Sequence, residues 1–318
     1  MRTFNYENVK NPEYFCDGRA EAHSDHAYYA SEADRETGCS LFQESLNGIW
    51  KFHYAKNYDA VVPGFEKDEY CCASWDDIRV PAHIQMEGYD APQYANTQYP
   101  WEGREDIRPG EIPEHFNPVA SYVKYFRVPE RMKGKRLFIS FQGAESGMAV
   151  WVNGTFVGYS EDTFTPSDFE LTDYVREGEN KLAVQVFKWT SGSWCEDQDF
   201  YRFSGLYRDV YLYTVPEVHI RDLRIRAVPD ETLEKAELEI CTRTWGSGKA
   251  KFVLSYHGEV RFEEEKELNG ENVFTWEIDH PALWSAEKPN LYDLSITVTD
   301  ASGTLMEIIP EKVGFRRS

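Results

Sequence analysis

The stretch that predicts the organisation of the chain is WCEDQDFYRFSGLYRDV, residues 194–210. Apolar residues alternate along residues 182–186 before it and along residues 210–215 after it, which predicts a half-buried strand on either side. The stretch itself concentrates acids, arginines and aromatic rings. Such a mixture between two strands predicts either a rim that meets a sugar or another domain, or a structural corner where acids and arginines neutralise each other.

The composition excludes several classes of protein. With 318 residues, the chain is long enough for about two domains of ordinary size. Aromatic residues make up 15% of it, which favours β-sheets and carbohydrate-facing surfaces. The net charge of −21 argues against nucleic acid or an anionic membrane as a partner, because phosphate groups would be repelled.

The cysteines and the N-terminal residues predict a cytoplasmic protein. The six cysteines form no CxxC pair, and Asn5, Glu7 and Lys10 interrupt any apolar run that could act as a signal peptide. No window approaches the roughly 18 apolar residues of a transmembrane helix. We therefore expect reduced thiols and a cytoplasmic location.

Hydrophobic patterning predicts two all-β domains joined near Pro216. Residues 1–40 carry no sustained period and are interpreted as an extended arm. Strand patterns begin at Leu46, and residues 165–176 are the one segment predicted to form a helical turn. After Pro216, short alternating runs recur with turn residues between them, which is typical of an immunoglobulin-like sandwich. These runs are residues 218–228, 236–244, 250–256, 259–267, 272–279, 291–299 and 304–309.

Paired carboxylates are the catalytic chemistry that this sequence could offer, since it contains no metalloprotease, serine-hydrolase or phosphate-loop motif. Asp197 and Asp199 on an extended chain would project to one side about 6.6 Å apart, near the roughly 5–5.5 Å of a retaining glycosidase. Arg202 would lower the pKa of both, so the pair is not expected to catalyse by itself. Ionised carboxylates here suit sugar hydroxyls or a hard cation better. His23 and His26 lack a further nearby ligand, so we interpret them as packing or surface residues.

With these residues in view, the sequence resembles the glycoside hydrolase family 2 β-galactosidases of the large bacterial lactase type. The resemblance is collinear over essentially the whole chain. Its motifs are residues 23–27, 45–52, 80–90, 94–100, 152–160, 178–180, 196–210, 283–292 and 313–316.

The resemblance implies an all-β fold in three parts: an extended arm (1–40), a jelly-roll, galactose-binding-like β-sandwich (41–216) and an immunoglobulin-like β-sandwich (217–318). It also implies that a (β/α)8 barrel should follow, and in the family that barrel holds both catalytic glutamates. The chain stops at Ser318, so no catalytic residue is assigned in it. We expect the non-catalytic N-terminal portion of a retaining β-galactosidase, inactive by itself.

Two substrate-binding residues are implied by the resemblance. Asn96 matches the asparagine that reaches into the barrel's active site and touches the galactosyl group. Asp199 matches the aspartate that contacts galactose hydroxyls and a sodium ion, the latter together with barrel residues. A family magnesium site is implied as well, with Ser191 and Glu161 standing where an aspartate and a glutamine are expected. The implied partners are a β-galactoside such as lactose, the absent barrel, and further copies of the full-length chain.

Two other functions remain open at this point. A free-standing carbohydrate-binding module would present exposed stacking aromatics, for example Trp101 or Trp194, and would bind sugar without a barrel. A family 2 glycosidase of another specificity would cleave glucuronides or mannosides.

Overall fold

The chain folds into β-sheets, in a computed structural model that describes residues 2–317. It divides into two compact units. The first comprises the residues up to Ala20 together with Glu44–Thr214, and the second comprises Glu21–Gln43 together with the residues from Val215 onward. The segment predicted as an arm is thus divided between the two units.

The strands up to Thr214 are short and pair antiparallel. In chain order they are β1 (Cys16–Asp17), β2 (Gln43–Ser45), β3 (Gly48–Ala55), β4 (Asp76–Val80), β5 (Gln93–Ala95), β6 (Val119–Arg127), β7 (Leu137–Phe141), β8 (Ala144–Glu145), β9 (Gly147–Val152), β10 (Thr155–Ser160), β11 (Ser167–Glu170), β12 (Glu179–Phe187), β13 (Phe200–Arg202), β14 (Gly205–Leu206) and β15 (Val210–Thr214).

Two of the resulting sheets enclose the core of the first unit. One has seven strands in the order β1-β10-β9-β12-β6-β3-β4, and the other has four in the order β11-β7-β15-β2. Apolar side chains from both sheets, such as Val184 and Leu212, belong to one buried cluster. Smaller two-stranded ribbons pair β13 with β5 and β14 with β8. This is the sandwich that the sequence predicts.

The central strand β12 is buried on both faces, although the sequence predicted a half-buried strand. Leu182 and Val184 lie in the core between the sheets, whereas Ala183 and Phe187 lie in a second cluster on the opposite face. The N-terminal segment helps to cover that face, since the Phe4 ring packs 5.6 Å from the ring of Phe187. The sequence pattern of β12 does not reveal burial of its second face, because the residues that cover this face are distant in the sequence.

Helices are few and short in the described chain. They are α1 (Glu32–Thr37), α2 (Ser193–Glu196) and the 3-10 helices Tyr6–Lys10, Tyr58–Ala60, Ile84–Glu87 and Glu130–Met132. The helical turn predicted for residues 165–176 is wrong for the first part of this segment, which contains β11, whereas one turn follows the strand, closed by the N–H of Val175 donating 3.2 Å to the Leu171 carbonyl. Phe169 pairs with Ile139 of β7, and both Phe169 and Leu171 are buried in the core. Alternation into the core therefore outweighs the local helical pattern.

The second unit is built around two long strands. Its strands are β16 (His219–Pro229), β17 (Lys235–Tyr256), β18 (Glu259–Asp279), β19 (Tyr292–Asp300) and β20 (Leu305–Val313). The first part of β17 pairs with β16 and the last part pairs with β19, with a break in the β17–β18 register between Arg243 and Ser247. Each long strand contains two of the predicted runs, so these strands contain all seven. The predicted immunoglobulin-like class is confirmed.

Glycines occupy the break in register between the two long strands. Gly246 lies in the break of β17 with φ +74, and Gly270 lies in the matching part of β18 with φ +61. Positive φ values of this kind are strained for other residues, so glycine permits the break. Segment 21–43 also joins this unit, since Tyr29 exchanges backbone hydrogen bonds of 2.9 and 2.8 Å with Ile308 of β20.

Among residues 2–317, none of the helices combines the length and the apolar character that a membrane crossing requires.

Candidate functional site

A two-stranded ribbon carries both residues that the sequence predicts to bind a sugar. Strands β5 and β13 pair antiparallel, with Ala95 opposite Phe200. Asn96 directly follows Ala95, and Asp199 directly precedes Phe200, so the two lie at the same end of the ribbon. The structure therefore brings together two predicted residues that are far apart in the sequence.

A tight turn presents Asp199 at the surface. Helix α2 ends at Glu196, and Asp197 follows as its C-terminal cap. Asp199 has φ 50°, in the left-handed region that aspartate adopts more readily than most residues because its short polar side chain can bond locally. The turn connects α2 to β13, and the Asp199 side chain is exposed.

Polar atoms at this end of the ribbon are available to a ligand. The Tyr94 hydroxyl donates a hydrogen bond of 2.7 Å to Oδ1 of Asp199, and this bond raises the pKa of Tyr94. No group within residues 2–317 donates a hydrogen bond to Oδ2 of Asp199. Asn96 is exposed, and its amide makes no hydrogen bond within the same part of the chain. Together these atoms offer donors and acceptors that can distinguish hydroxyl positions.

A buried charge cluster lies near the base of the ribbon. The guanidinium of Arg202 is fully buried and pairs with Asp197 and, at 3.4 Å, with Glu145. Burial raises the pKa of Asp197 to about 8 and that of Glu145 to about 7, while the charge of Arg202 opposes both increases. Burial disfavours a carboxylate more strongly here than one shared guanidinium favours it.

The cluster corrects one expectation about the carboxylates. Asp197 and Asp199 do not form a pair on one side of a strand, because Asp197 is a helix cap with no exposed surface and Asp199 is exposed. Arg202 acts to lower the pKa of Asp197, as expected, but burial is the larger effect and the net shift is upward. The stretch 194–210 is thus divided: its buried charges form a structural corner, whereas Asp199 lies on a surface available to a partner.

Exposed aromatic rings lie on and beside the ribbon that carries Asp199. Tyr94, Phe200 and Tyr201 belong to the ribbon and are 52%, 41% and 61% exposed, and Phe164 beside them is 47% exposed. The rings of Tyr94 and Tyr201 pack 4.9 Å apart, and those of Phe164 and Phe200 pack 5.8 Å apart. We call these four residues the ribbon patch. An exposed aromatic group of this kind is typical of a surface that another molecule or domain covers.

The tryptophans considered for a carbohydrate-binding module do not form an exposed platform. Trp101 is buried, and Trp194 is half-buried with its indole N–H donating 2.7 Å to the carbonyl of Glu111. Their rings pack at 5.0 Å, and Tyr99 packs against both. These side chains stabilise the loop that contains residues 99–111.

The residues implied for magnesium do not fit that ion. The carboxylate of Glu161 accepts hydrogen bonds from Tyr159 (2.7 Å), Ser191 (3.1 Å) and the backbone N–H of Gly192 (3.3 Å). Burial raises its pKa to about 7, and these bonds oppose the increase. Donors thus occupy the positions where a cation would lie. Within residues 2–317, no group of three His, Cys, Asp or Glu is placed to hold a metal.

The histidine pair also has a packing role. The Nδ1 atom of His26 lies 2.8 Å from the Ser24 hydroxyl, and burial lowers the pKa of His26 to about 3. His23 contacts the backbone carbonyl of Ser24 at 2.8 Å. Both contacts lie within the N-terminal segment of the second unit.

Two residues of the site received no role in the sequence analysis. Tyr94 is two positions before Asn96, and strand alternation would place both on one side of β5. This alternation is visible in the sequence. The contact between Tyr94 and Asp199 is not, because it depends on the pairing of β5 with β13. Glu145 carried no sequence signal, because it reaches Arg202 only through the tertiary fold.

The fold and the ribbon define a class of protein: two antiparallel β-sandwich units, the first with an exposed carboxylate and amide suited to hydroxyl groups. The chain belongs to the glycosyl hydrolases family 2. Residues 43–216 match its sugar binding domain, and residues 218–316 match the domain described as glycosyl hydrolases family 2. The family predicted from the motifs is confirmed.

The chain is similar to curated β-galactosidases and spans only part of their length. It is 48% identical to a β-galactosidase of Halalkalibacterium halodurans, over 97% of this chain and 31% of the relative. For the enzyme of Streptococcus thermophilus the identity is 44%, over 97% and 30% respectively. For the β-galactosidase large subunit of Leuconostoc lactis it is 41%, over 98% and 52%.

Solved structures show the same fold at lower identity. A β-glucuronidase of Bacteroides uniformis matches with a TM-score of 0.69 and 21% identity, over 86% of this chain and 32% of that one. A β-glycosidase of Bacteroides vulgatus matches with a TM-score of 0.65 and 25% identity, over 86% and 34%. These matches support the β-sandwich architecture.

Proposed function

We propose that this chain is the non-catalytic N-terminal portion of a retaining β-galactosidase, an enzyme that removes terminal β-galactose from substrates such as lactose. It contributes Asn96 and Asp199 to a galactose site that a (β/α)8 barrel completes. The acid/base and nucleophile glutamates belong to that barrel and not to residues 1–318.

The position of Asn96 and Asp199 is the observation that carries this proposal. Both side chains are exposed at one end of the ribbon, with polar atoms free to meet sugar hydroxyls. On an open surface water competes for these atoms, so a second wall is needed to exclude it and to strengthen discrimination between hydroxyl positions. The ribbon patch offers apolar area for that wall to cover. The similarity to β-galactosidases supports galactose as the sugar.

Partners and ions follow from the same chemistry. Oδ2 of Asp199 is a hard oxygen ligand, which supports a sodium ion shared with barrel residues. Any magnesium in the full-length enzyme would use residues other than Glu161 and Ser191.

All six cysteines are free thiols, which supports a reducing, cytoplasmic location. The full-length enzyme is proposed to form an oligomer of identical subunits.

Comparison of the 318-residue chain with the same chain joined to the remainder of its parent reading frame tests the proposal. The joined protein should hydrolyse a nitrophenyl β-galactoside, and the 318-residue chain should not exceed the uncatalysed rate. Hydrolysis of a nitrophenyl glucuronide or mannoside instead would assign another specificity. Turnover by the 318-residue chain that disappears in Asp199→Asn would contradict the assignment of catalysis to the barrel.

Calorimetry separates this proposal from a free-standing carbohydrate-binding module. The 318-residue chain should give no appreciable heat with millimolar galactose or lactose, because the site lacks its second wall. Clear binding to the isolated chain would favour the module.

In the joined protein, Asp199→Ala should lower kcat/KM for a galactoside by about two orders of magnitude, since loss of a charged hydrogen-bonding partner costs roughly 2–3 kcal/mol. The matched control is Asp59→Ala, an exposed aspartate away from the ribbon in the sequence, which should change kcat/KM less than twofold. Equal rates for Asp199→Ala and the unsubstituted enzyme would remove Asp199 from the site.

A further inference from the structure

We propose that Tyr94 is a positioning residue for Asp199: its hydroxyl holds Oδ1 of the carboxylate so that Oδ2 stays directed at the ligand. This inference rests on the proposed function and assigns a role to a side chain that the sequence analysis placed in a motif without giving it a function.

The contact is short and belongs to the ribbon that carries the site. The Tyr94 hydroxyl lies 2.7 Å from Oδ1 of Asp199, within the range of a hydrogen bond to a charged acceptor. The backbone register places Tyr94 opposite Tyr201, and their rings pack 4.9 Å apart. The register and the neighbouring ring together fix the direction from which the hydroxyl approaches Asp199.

One short strand thereby organises both sugar-binding side chains. Asn96 lies at the end of β5, two residues after Tyr94, and Tyr94 holds the carboxylate that arrives from β13. An exposed aspartate has several side-chain orientations, and binding must select one of them. A phenol that occupies one oxygen reduces this cost and leaves the other oxygen as the acceptor for a hydroxyl or a cation.

A purely structural role is the alternative. Tyr94 could simply join the two strands through its ring and hydroxyl, in which case its removal would loosen the ribbon whatever residue stands at 199. The two roles differ in one measurable respect: a positioning residue loses its effect when Asp199 is absent.

The first test uses the 318-residue chain with tyrosine labelled by ¹³C at Cζ, at one fixed neutral pH. Because the Tyr94 hydroxyl donates to the Asp199 carboxylate, the Cζ resonance of Tyr94 should shift in Asp199→Ala, where the acceptor is removed. An identical Cζ resonance in the two proteins would show that the hydrogen bond is absent in solution and would overturn the proposal. The Tyr94 resonance is assigned from its loss in Tyr94→Phe.

The second test is a double-mutant cycle in the joined protein, with whichever nitrophenyl glycoside it hydrolyses. Tyr94→Phe should lower kcat/KM about tenfold in the unsubstituted background and less than twofold in the Asp199→Ala background. Tyr125→Phe is the control, because it removes another exposed tyrosine hydroxyl from the first unit, one that lies 3.8 Å from the Cys72 sulfur. It should change kcat/KM less than twofold in both backgrounds.

The outcomes separate this inference from the proposed function. Tenfold losses for Tyr94→Phe in both backgrounds, or no loss in either, would overturn the positioning role. A joined protein that hydrolyses only a glucuronide or mannoside would contradict galactose specificity, while the cycle with that substrate would still decide the role of Tyr94.

Discussion

Arg202 illustrates how one residue secures the site without touching a ligand. Its guanidinium is fully buried between Asp197 and Glu145, and it belongs to β13, the strand that begins directly after Asp199. One positive charge cannot neutralise two carboxylates, so the cluster retains a proton near neutral pH. The charge pairing therefore fixes the base of the ribbon, while the end with Asp199 remains open to solvent.

Replacement of Arg202 by methionine should destabilise the first unit by about 3 kcal/mol, because buried carboxyl groups lose their counter-charge. The loss should be smaller at pH 5.5 than at pH 8, since Asp197 and Glu145 can protonate instead. Urea denaturation followed by tryptophan fluorescence measures both values. Arg208→Met is the matched control, since Arg208 is exposed and donates 2.8 Å to the Phe164 carbonyl, and it should cost less than about 1 kcal/mol. Equal stabilities for the two variants would contradict the role of the buried pair.

The sequence alone predicted the identity of the residues in the candidate site better than it predicted their burial and their contacts. Asn96 and Asp199 were identified through motifs, and the structure places them together. Asp197 was wrongly expected to lie beside Asp199 on an extended chain. It is instead the buried C-terminal cap of α2, and the local alternation of residues does not reveal this helix. Glu145 could not have been predicted as a partner of Arg202, because β8 approaches β13 only in the folded chain.

Strand β17 shows how a single element can serve two sets of strand pairings, with β16 along its first part and with β19 along its last part. The register between β17 and its other partner, β18, breaks near the middle of both strands, at Gly246 and Gly270 respectively. The two glycines have similar positive φ values but different surroundings. A Cβ atom at Gly246 would lie 2.4 Å from the Glu217 carbonyl oxygen, whereas a Cβ atom at Gly270 would have no neighbour within 4 Å.

Gly246→Ala should therefore destabilise the second unit more than Gly270→Ala. The left-handed backbone costs about 1–2 kcal/mol in either variant, and the contact with Glu217 adds at least about 1 kcal/mol at position 246. Urea denaturation of the two variants in parallel measures the difference. Gly270→Ala serves as the internal control for the backbone term, and equal losses would show that the Glu217 carbonyl can move aside without cost.

The elements that the sequence predicted well are those whose pattern is local and repeated. The runs after Pro216 alternate over short, evenly spaced segments, and all lie in strands. Residues 165–176 were predicted only in part, because β11 is short and is defined by pairing with β7 and by burial of Phe169, neither of which is visible locally. The two-sided burial of β12 was missed for a similar reason.

For the whole molecule, buried acids of the first unit set a direction for the pH dependence of stability. Burial raises the pKa of Glu161 from an ordinary value of 4.5 to about 7. Between pH 4.5 and about pH 7, the Glu161 carboxyl is protonated in the folded state and ionised in the unfolded state. The resulting stabilisation is complete below about pH 4.5 and is lost as the pH rises through 7. Glu145 has the same direction and the same cause.

The free energy of unfolding should therefore fall between pH 5.5 and pH 8, and Glu161→Gln should show a smaller fall, because glutamine does not titrate. Urea denaturation of both proteins at the two pH values measures this difference. Glu13→Gln is the control, as an exposed glutamate that should keep the full dependence. An identical slope in Glu161→Gln would show that Glu161 is ionised in the folded state at both pH values.

The bridge between Tyr29 and Ile308 has a consequence for biosynthesis. A ribosome releases residues 21–43 long before it reaches their strand partner β20, so this segment must wait without its native neighbour. The second sandwich should consequently reach its native state only after translation has passed β20. A recombinant version that starts at Val215 would lack this early-made piece, and supplying it as a separate peptide should restore the missing pairing.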